Sequence, residues 1–156
     1  MAEQYRPVRC YKPGCVLTGV AVPREPRVLS GRSLQCLARH ISGAGIQLAV
    51  QLEIPASAIT GMTFDTLSVG HTSADVTYRM LLLWKRRVAH QRRSVALHGE
   101  RVSTAAAGDA HVDTLAQAVT AATGNTRLAD VIVARHRANR ELTPDCFLDV
   151  QNSARR

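Results

Sequence analysis

The sequence predicts an all-α domain preceded by an extended arm. Apolar residues recur at three- and four-residue spacing from Leu34 to Val133, capping and stop residues punctuate that pattern, and no strand pattern is defensible after residue 30. The chain has 156 residues, of which 46% are hydrophobic and 4% aromatic, enough apolar material for one packed core and too much for a disordered chain. The expected organisation is an extended basic arm over residues 1–30, a helical bundle over 31–140 and a C-terminal tail over 141–156.

Each element follows from local chemistry. Pro7, Pro13, Pro23 and Pro26 argue against helix and define the arm. Ser30, Gly31 and Ser33 offer N-cap chemistry for a helix with Leu34, Leu37, Ala38 and Ile41 on one side, and Gly43 stops it. A short helical pattern follows with Ile46, Ala49, Val50 and Leu52 on its apolar face, ended by Pro55. Pro55 opens a third segment, Ala56 to Met62. The mixed residues Thr63 to Ser73 read as a connection.

Ser73 or Asp75 is expected to cap a stronger helix, with Val76, Tyr78, Met80, Leu81, Leu83 and Trp84 inside and Arg79, Lys85 and Arg86 outside. Its apolar period fades between His90 and Gly99, and Val102 to Gly108 reads as a loop. A helix beginning at Asp109 or Ala110 carries Val112, Leu115, Ala116, Val119 and Ala122, and Gly124-Asn125 ends it. Thr126 is expected to cap the last helix, striped by Leu128, Ala129, Ile132 and Val133, with Arg135, Arg137 and Arg140 at the cation-favouring end and Pro144 as its stop.

The net charge is +8, unevenly placed. Residues 1–61 carry +4, residues 62–108 carry +4 and residues 109–156 are neutral. A positive field of this kind speeds encounter with acidic proteins, nucleic acid or anionic lipid without choosing among them. The candidate partner-binding residues are Arg79, Lys85, Arg86, Arg87, Arg92 and Arg93; the alternative for each is a solvated face. Tyr5 and Tyr11, interleaved with Arg6, Arg9 and Lys12, are the residues that would stack on bases in a nucleic-acid-binding protein.

The inventory for catalysis is thin. His40, His71, His90, His98, His111 and His136 are scattered, and no Gly-rich phosphate loop, nucleophile elbow or His-Glu-x-x-His helix occurs. Cys10, Cys15, Cys36 and His40 would have to assemble any zinc site, but their spacing matches no zinc signature, and ordinary thiols are the alternative. No catalytic residue, cofactor or metal is therefore expected, and the chain is not read as an enzyme. No apolar run approaches the roughly 20 residues of a membrane span, and no signal-peptide pattern opens the chain, so a cytoplasmic protein with reduced thiols is expected.

The run Val76-Thr77-Tyr78-Arg79-Met80-Leu81-Leu82-Leu83-Trp84 resembles the fourth helix of death domains. His111 to Val119 resembles their fifth helix, Arg127 to Ile132 their sixth, and Leu48 to Ile59 the end of their first helix, a turn and the second. Leu34 to Ile41 then stands for the first half of a broken helix one, and the resemblance covers about residues 32–138. The chain departs from the family pattern in having Ile46 where a Trp is usual, in the Thr63 to Ser73 connection where a short third helix is usual, and in a long basic loop from Val88 to Ala110.

The resemblance implies a six-helix antiparallel Greek-key bundle acting as an adaptor or signalling module. Such a module would self-associate, as a homo-oligomer, or bind another death-fold protein with an acidic surface, in apoptotic or innate-immune signalling. Read without the resemblance, the alternative is a basic helical nucleic-acid-binding protein using residues 85–101 and the arm.

Overall fold

The computed structural model describes residues 25–97 and 104–153. These are helical throughout their regular structure, with no strand among the described residues. Seven α-helices follow in order: α1 (Gly31–His40), α2 (Gly45–Gln51), α3 (Ala56–Ser68), α4 (Ser73–Leu97), α5 (Thr104–Thr123), α6 (Thr126–Arg137) and α7 (Leu148–Ser153). Three 3₁₀ turns, Arg27–Leu29, Ser42–Ala44 and Pro144–Phe147, complete the described chain. Helix α4 is the spine: α1, α2 and α3 pack along it, while α5 lies against α2 and α6.

The core is the inward face of each helix. Leu34 and Leu37 of α1, Leu48 of α2, Met80, Leu81 and Trp84 of α4, Val112, Leu115 and Val119 of α5, and Leu128 and Ile132 of α6 are all buried in one cluster. Trp84 is 4% exposed, the expected apolar anchor. Tyr78 is half-buried, its hydroxyl 3.3 Å from where a Cβ on Gly31 would stand, so the glycine lets α1 begin against the ring.

Ser30 caps α1, its hydroxyl accepting from the Ser33 amide at 3.2 Å. Gly124, at φ 68°, ends α5 in the left-handed conformation that glycine favours.

Several sequence expectations are corrected. The Thr63 to Ser73 connection is largely helix, because α3 continues to Ser68. It closes in a left-handed turn in which the Gly70 amide bonds the Leu67 carbonyl and the His71 amide bonds the Thr66 carbonyl, the pairing that satisfies orphan carbonyls at a helix end. The cap of α4 is Thr72: its hydroxyl accepts from the Asp75 amide while the Asp75 carboxylate accepts from the Thr72 amide at 2.8 Å. The Thr72 amide, and then the Thr72 hydroxyl, which also donates to this carboxylate at 2.9 Å, hold the Asp75 carboxyl below its ordinary range.

The Val88 to Ala110 loop is also corrected at both ends, while residues 98–103 lie outside the described residues. Helix α4 runs on to Leu97 and α5 already starts at Thr104, where the alanine run favours helix. Gly108 is not a breaker; a Cβ there would stand 3.2 Å from Pro26 Cγ, so the glycine serves a close approach. Asn125 rather than Thr126 caps α6, its Oδ1 accepting from the Arg127 amide at 3.0 Å. That helix ends at Arg137, ahead of Pro144, with Asn139 left-handed at φ 51°.

Both ends of the described chain enter the core. Val28 and Leu29 of the first 3₁₀ turn are buried, as are Leu142, Phe147 and Val150 after α6. The Ser33 hydroxyl joins the two ends: it donates to the Arg27 carbonyl at 2.7 Å and accepts from the Leu142 amide at 2.9 Å. No helix among the described residues is long and apolar enough to cross a membrane.

Candidate functional site

The cationic residues singled out in the sequence all lie on α4, including Arg92 and Arg93. Helical geometry sorts them: Arg79, Arg86 and Arg93, spaced by seven, form one stripe, and Lys85 and Arg92 a second beside it. From Val76 to Leu97 the helix has no acidic residue.

Three of the six cations are engaged within the fold. Arg79 Nη1 donates to Thr66 Oγ1 at 2.8 Å, tying α4 to α3 through an otherwise buried hydroxyl. Arg87 Nη1 donates to the Glu53 carbonyl at 2.8 Å, where the chain turns out of α2 with Glu53 left-handed at φ 57°. Lys85 Nζ stands 2.6 Å from Glu25 Oε1. Arg86 and Arg93 are exposed, and no ion pair forms to either among the described residues.

Lys85, Arg86 and Arg92 line one pocket of about 240 Å³ with Trp84 and His111, so the structure brings these three together. Arg87 lines a neighbouring pocket that shares Trp84 and His111. Arg79 and Arg93 line neither. Burial pushes the His111 imidazole below its ordinary value, and the Arg92 charge adds to that effect.

A second feature went unread in the sequence. In α2 the inward stripe is Gly45, Leu48, Ala49 and Leu52, which turns Ile46 and Val50 outward, at 52% and 57% exposure. The expected apolar face, with Ile46 and Val50 inside, is thus rotated, because the helix approaches α4 through Gly45. Ile46 joins Phe64 and Leu67 of α3 around a shallow apolar depression. The signal was present as Phe64 and Leu67 at i, i+3 and Ile46 and Val50 at i, i+4.

Cys36 and His40 do share a face of α1, beside Phe147. Burial, then the nearby Cys146, pushes the Cys36 thiol up, which disfavours the reactive thiolate. Cys10, Cys15, Tyr5, Tyr11, Arg6, Arg9, Lys12 and Arg101 lie outside the described residues. Among the described residues no group of three or more His, Cys, Asp or Glu side chains is placed to hold a metal ion.

Compared with known proteins, the chain matches no protein-family model, no curated protein and no solved structure.

Proposed function

We propose that the chain is a non-enzymatic interaction module, folded as a death-domain-like six-helix Greek-key bundle with additional terminal turns, that binds an acidic protein surface through α4. The observation that carries this reading is the acid-free stretch from Val76 to Leu97 with six Lys or Arg residues, two of which, Arg86 and Arg93, are exposed and have neither an ion pair nor a side-chain hydrogen bond among the described residues. Cations clustered in this way serve encounter rate and partner choice, since exposed pairs contribute only about 0–1 kcal/mol each.

The partner is a death-fold protein or a second copy. A second copy offers suitable chemistry: residues 41–70 contain Glu53 and Asp65, no Lys or Arg, and the exposed apolar side chains of α2 and α3. Contact between two different faces of one chain builds rings or open chains rather than closed dimers. An adaptor role in apoptotic or innate-immune signalling, in the cytoplasm, is part of the same proposal and rests on the helix motifs.

Size-exclusion chromatography with light scattering tests it. Wild type is expected to associate with rising concentration, and Arg86→Glu with Arg87→Glu to remain at its monomer mass; identical behaviour of the two would remove α4 from the mechanism. The same acid-free stretch also favours nucleic acid as a second reading. That reading requires duplex or single-strand retention falling with salt at a slope of about −0.9 per phosphate neutralised on duplex.

A further inference from the structure

Arg92 is the residue on α4 whose state is least comfortable. It is half-buried, and its Nε and Nη2 atoms are shielded from solvent with no hydrogen-bond acceptor among the described residues. Nε–H and the adjacent Nη2–H form one edge of the guanidinium, the edge whose two parallel donors match two oxygens of one oxyanion. Desolvated donors left unmet are costly, more so on a charged group, so the fold carries a defect that a ligand would remove.

The surroundings select among oxyanions. The pocket that Arg92 lines is walled by Leu29, Leu82, Trp84 and Val88, an apolar sleeve suited to a hydrocarbon stem. Its other cations contribute little net charge inside: Lys85 is paired with Glu25, His111 is held towards its neutral form, and Arg86 is exposed. One free interior cation with a carboxylate, Glu25, already present on the wall favours a monoanion over a dianionic phosphate.

We infer that this pocket is a carboxylate-binding site, in which the Nε and Nη2 edge of Arg92 takes both oxygens of one carboxylate carried on an apolar stem. The carboxylate comes from a glutamate side chain of a protein partner or from a small aliphatic acid. Only the first source rests on the reading of α4 as a protein-binding face; the site itself does not.

Trp84, the single tryptophan of the chain, lines the pocket and reports on it. The full chain is titrated with hexanoate and, separately, with inorganic phosphate at matched ionic strength, following Trp84 emission, with far-ultraviolet circular dichroism on every variant. Hexanoate is expected to give a saturable change in wild type and in Arg137→Gln, which removes one exposed charge on α6. Binding to Arg92→Gln is expected to be weaker by about ten-fold or more, Arg92→Lys to fall between, and phosphate to bind less well than hexanoate. Should Arg92→Gln fail to fold, Arg92→Lys, which keeps the charge and loses the fork, carries the comparison.

The inference is overturned by an unsaturable wild-type titration, by Arg92 variants that bind hexanoate as wild type does, or by phosphate binding as well as hexanoate. A glutamate-rich peptide that displaces hexanoate identifies a protein source, and one that leaves it bound identifies the small acid; either result requires the site. A peptide bound equally by wild type and Arg92→Gln but lost in the Arg86→Glu, Arg87→Glu variant overturns the pocket and leaves the reading of the α4 face intact.

Discussion

Gly45 of α2 and Thr77 of α4 meet so closely that a Cβ at position 45 would collide with the Thr77 hydroxyl and come 3.0 Å from its Cβ. Thr77 is itself fixed, being buried and donating from Oγ1 to the Ser73 carbonyl at 3.0 Å. The crossing of the two helices is therefore set at glycine distance. Gly45→Ala is expected to destabilise the fold by about 1–3 kcal/mol despite the better helix propensity of alanine, because over-packing outweighs the propensity gain. Urea denaturation measures it, and Thr77→Ala in the same chain should recover part of the loss; additive effects of the two substitutions would contradict the contact.

Ser33 has a comparable role between the chain ends. Its hydroxyl is fully used, donating to Arg27 O and accepting from both Leu142 N and Ser30 Oγ. Ser33→Ala leaves the Leu142 amide and the Arg27 carbonyl without that partner at a buried site, at a cost of about 1–3 kcal/mol. Hydrogen exchange at the Leu142 amide should accelerate in the variant; unchanged protection there would count against the bridge.

These two contacts also show what was legible in advance. Ser30 as a cap and Gly124 as a left-handed stop were readable because cap and stop chemistry acts within a few residues. The inward face of α2 was misread because Gly45 earns no weight on a hydrophobicity scale, yet its missing side chain is what brings α2 onto α4. The sequence reading ends α3 early because Thr63 and Thr66 look like connection residues; Thr66 is buried, and the hydrogen bond to its hydroxyl comes from Arg79, thirteen positions on. Likewise the cluster on α4 was visible as charge, but which members stay unengaged depends on Thr66, Glu53 and Glu25, all distant in sequence.

Acid should weaken the fold before its carboxylates are protonated. His40 stacks on Phe147 with ring centroids 4.6 Å apart, and burial lowers its pKa from the ordinary 6.5. His111 is lowered too, first by burial and then by the Arg92 charge. In the unfolded chain both take up protons near the ordinary value, so below it the unfolded state binds more protons and stability falls as pH falls. Above it both states are neutral and this dependence vanishes. The urea midpoint should decline between about pH 7.5 and about pH 5.5, and His40→Gln should flatten the decline. A midpoint independent of pH in that window would refute the assignment.

Two phenylalanines separate folding from surface function. Phe147, 2% exposed, packs in the core beside His40, whereas Phe64 on α3 is 72% exposed with Ile46 and Leu67 beside it. Removing the Phe147 ring opens a cavity, so Phe147→Ala should cost about 3–5 kcal/mol. Phe64→Ser touches nothing that holds the core and should change stability by no more than about 0.5 kcal/mol. An exposed apolar cluster nevertheless favours association, so Phe64→Ser should lower both hydrophobic-dye binding and concentration-dependent light scattering. The contrast is decisive when both variants are measured together: dye binding and scattering unchanged in a folded Phe64→Ser chain would mean that the α2–α3 face takes no part in association, while the cost at Phe147 would stand.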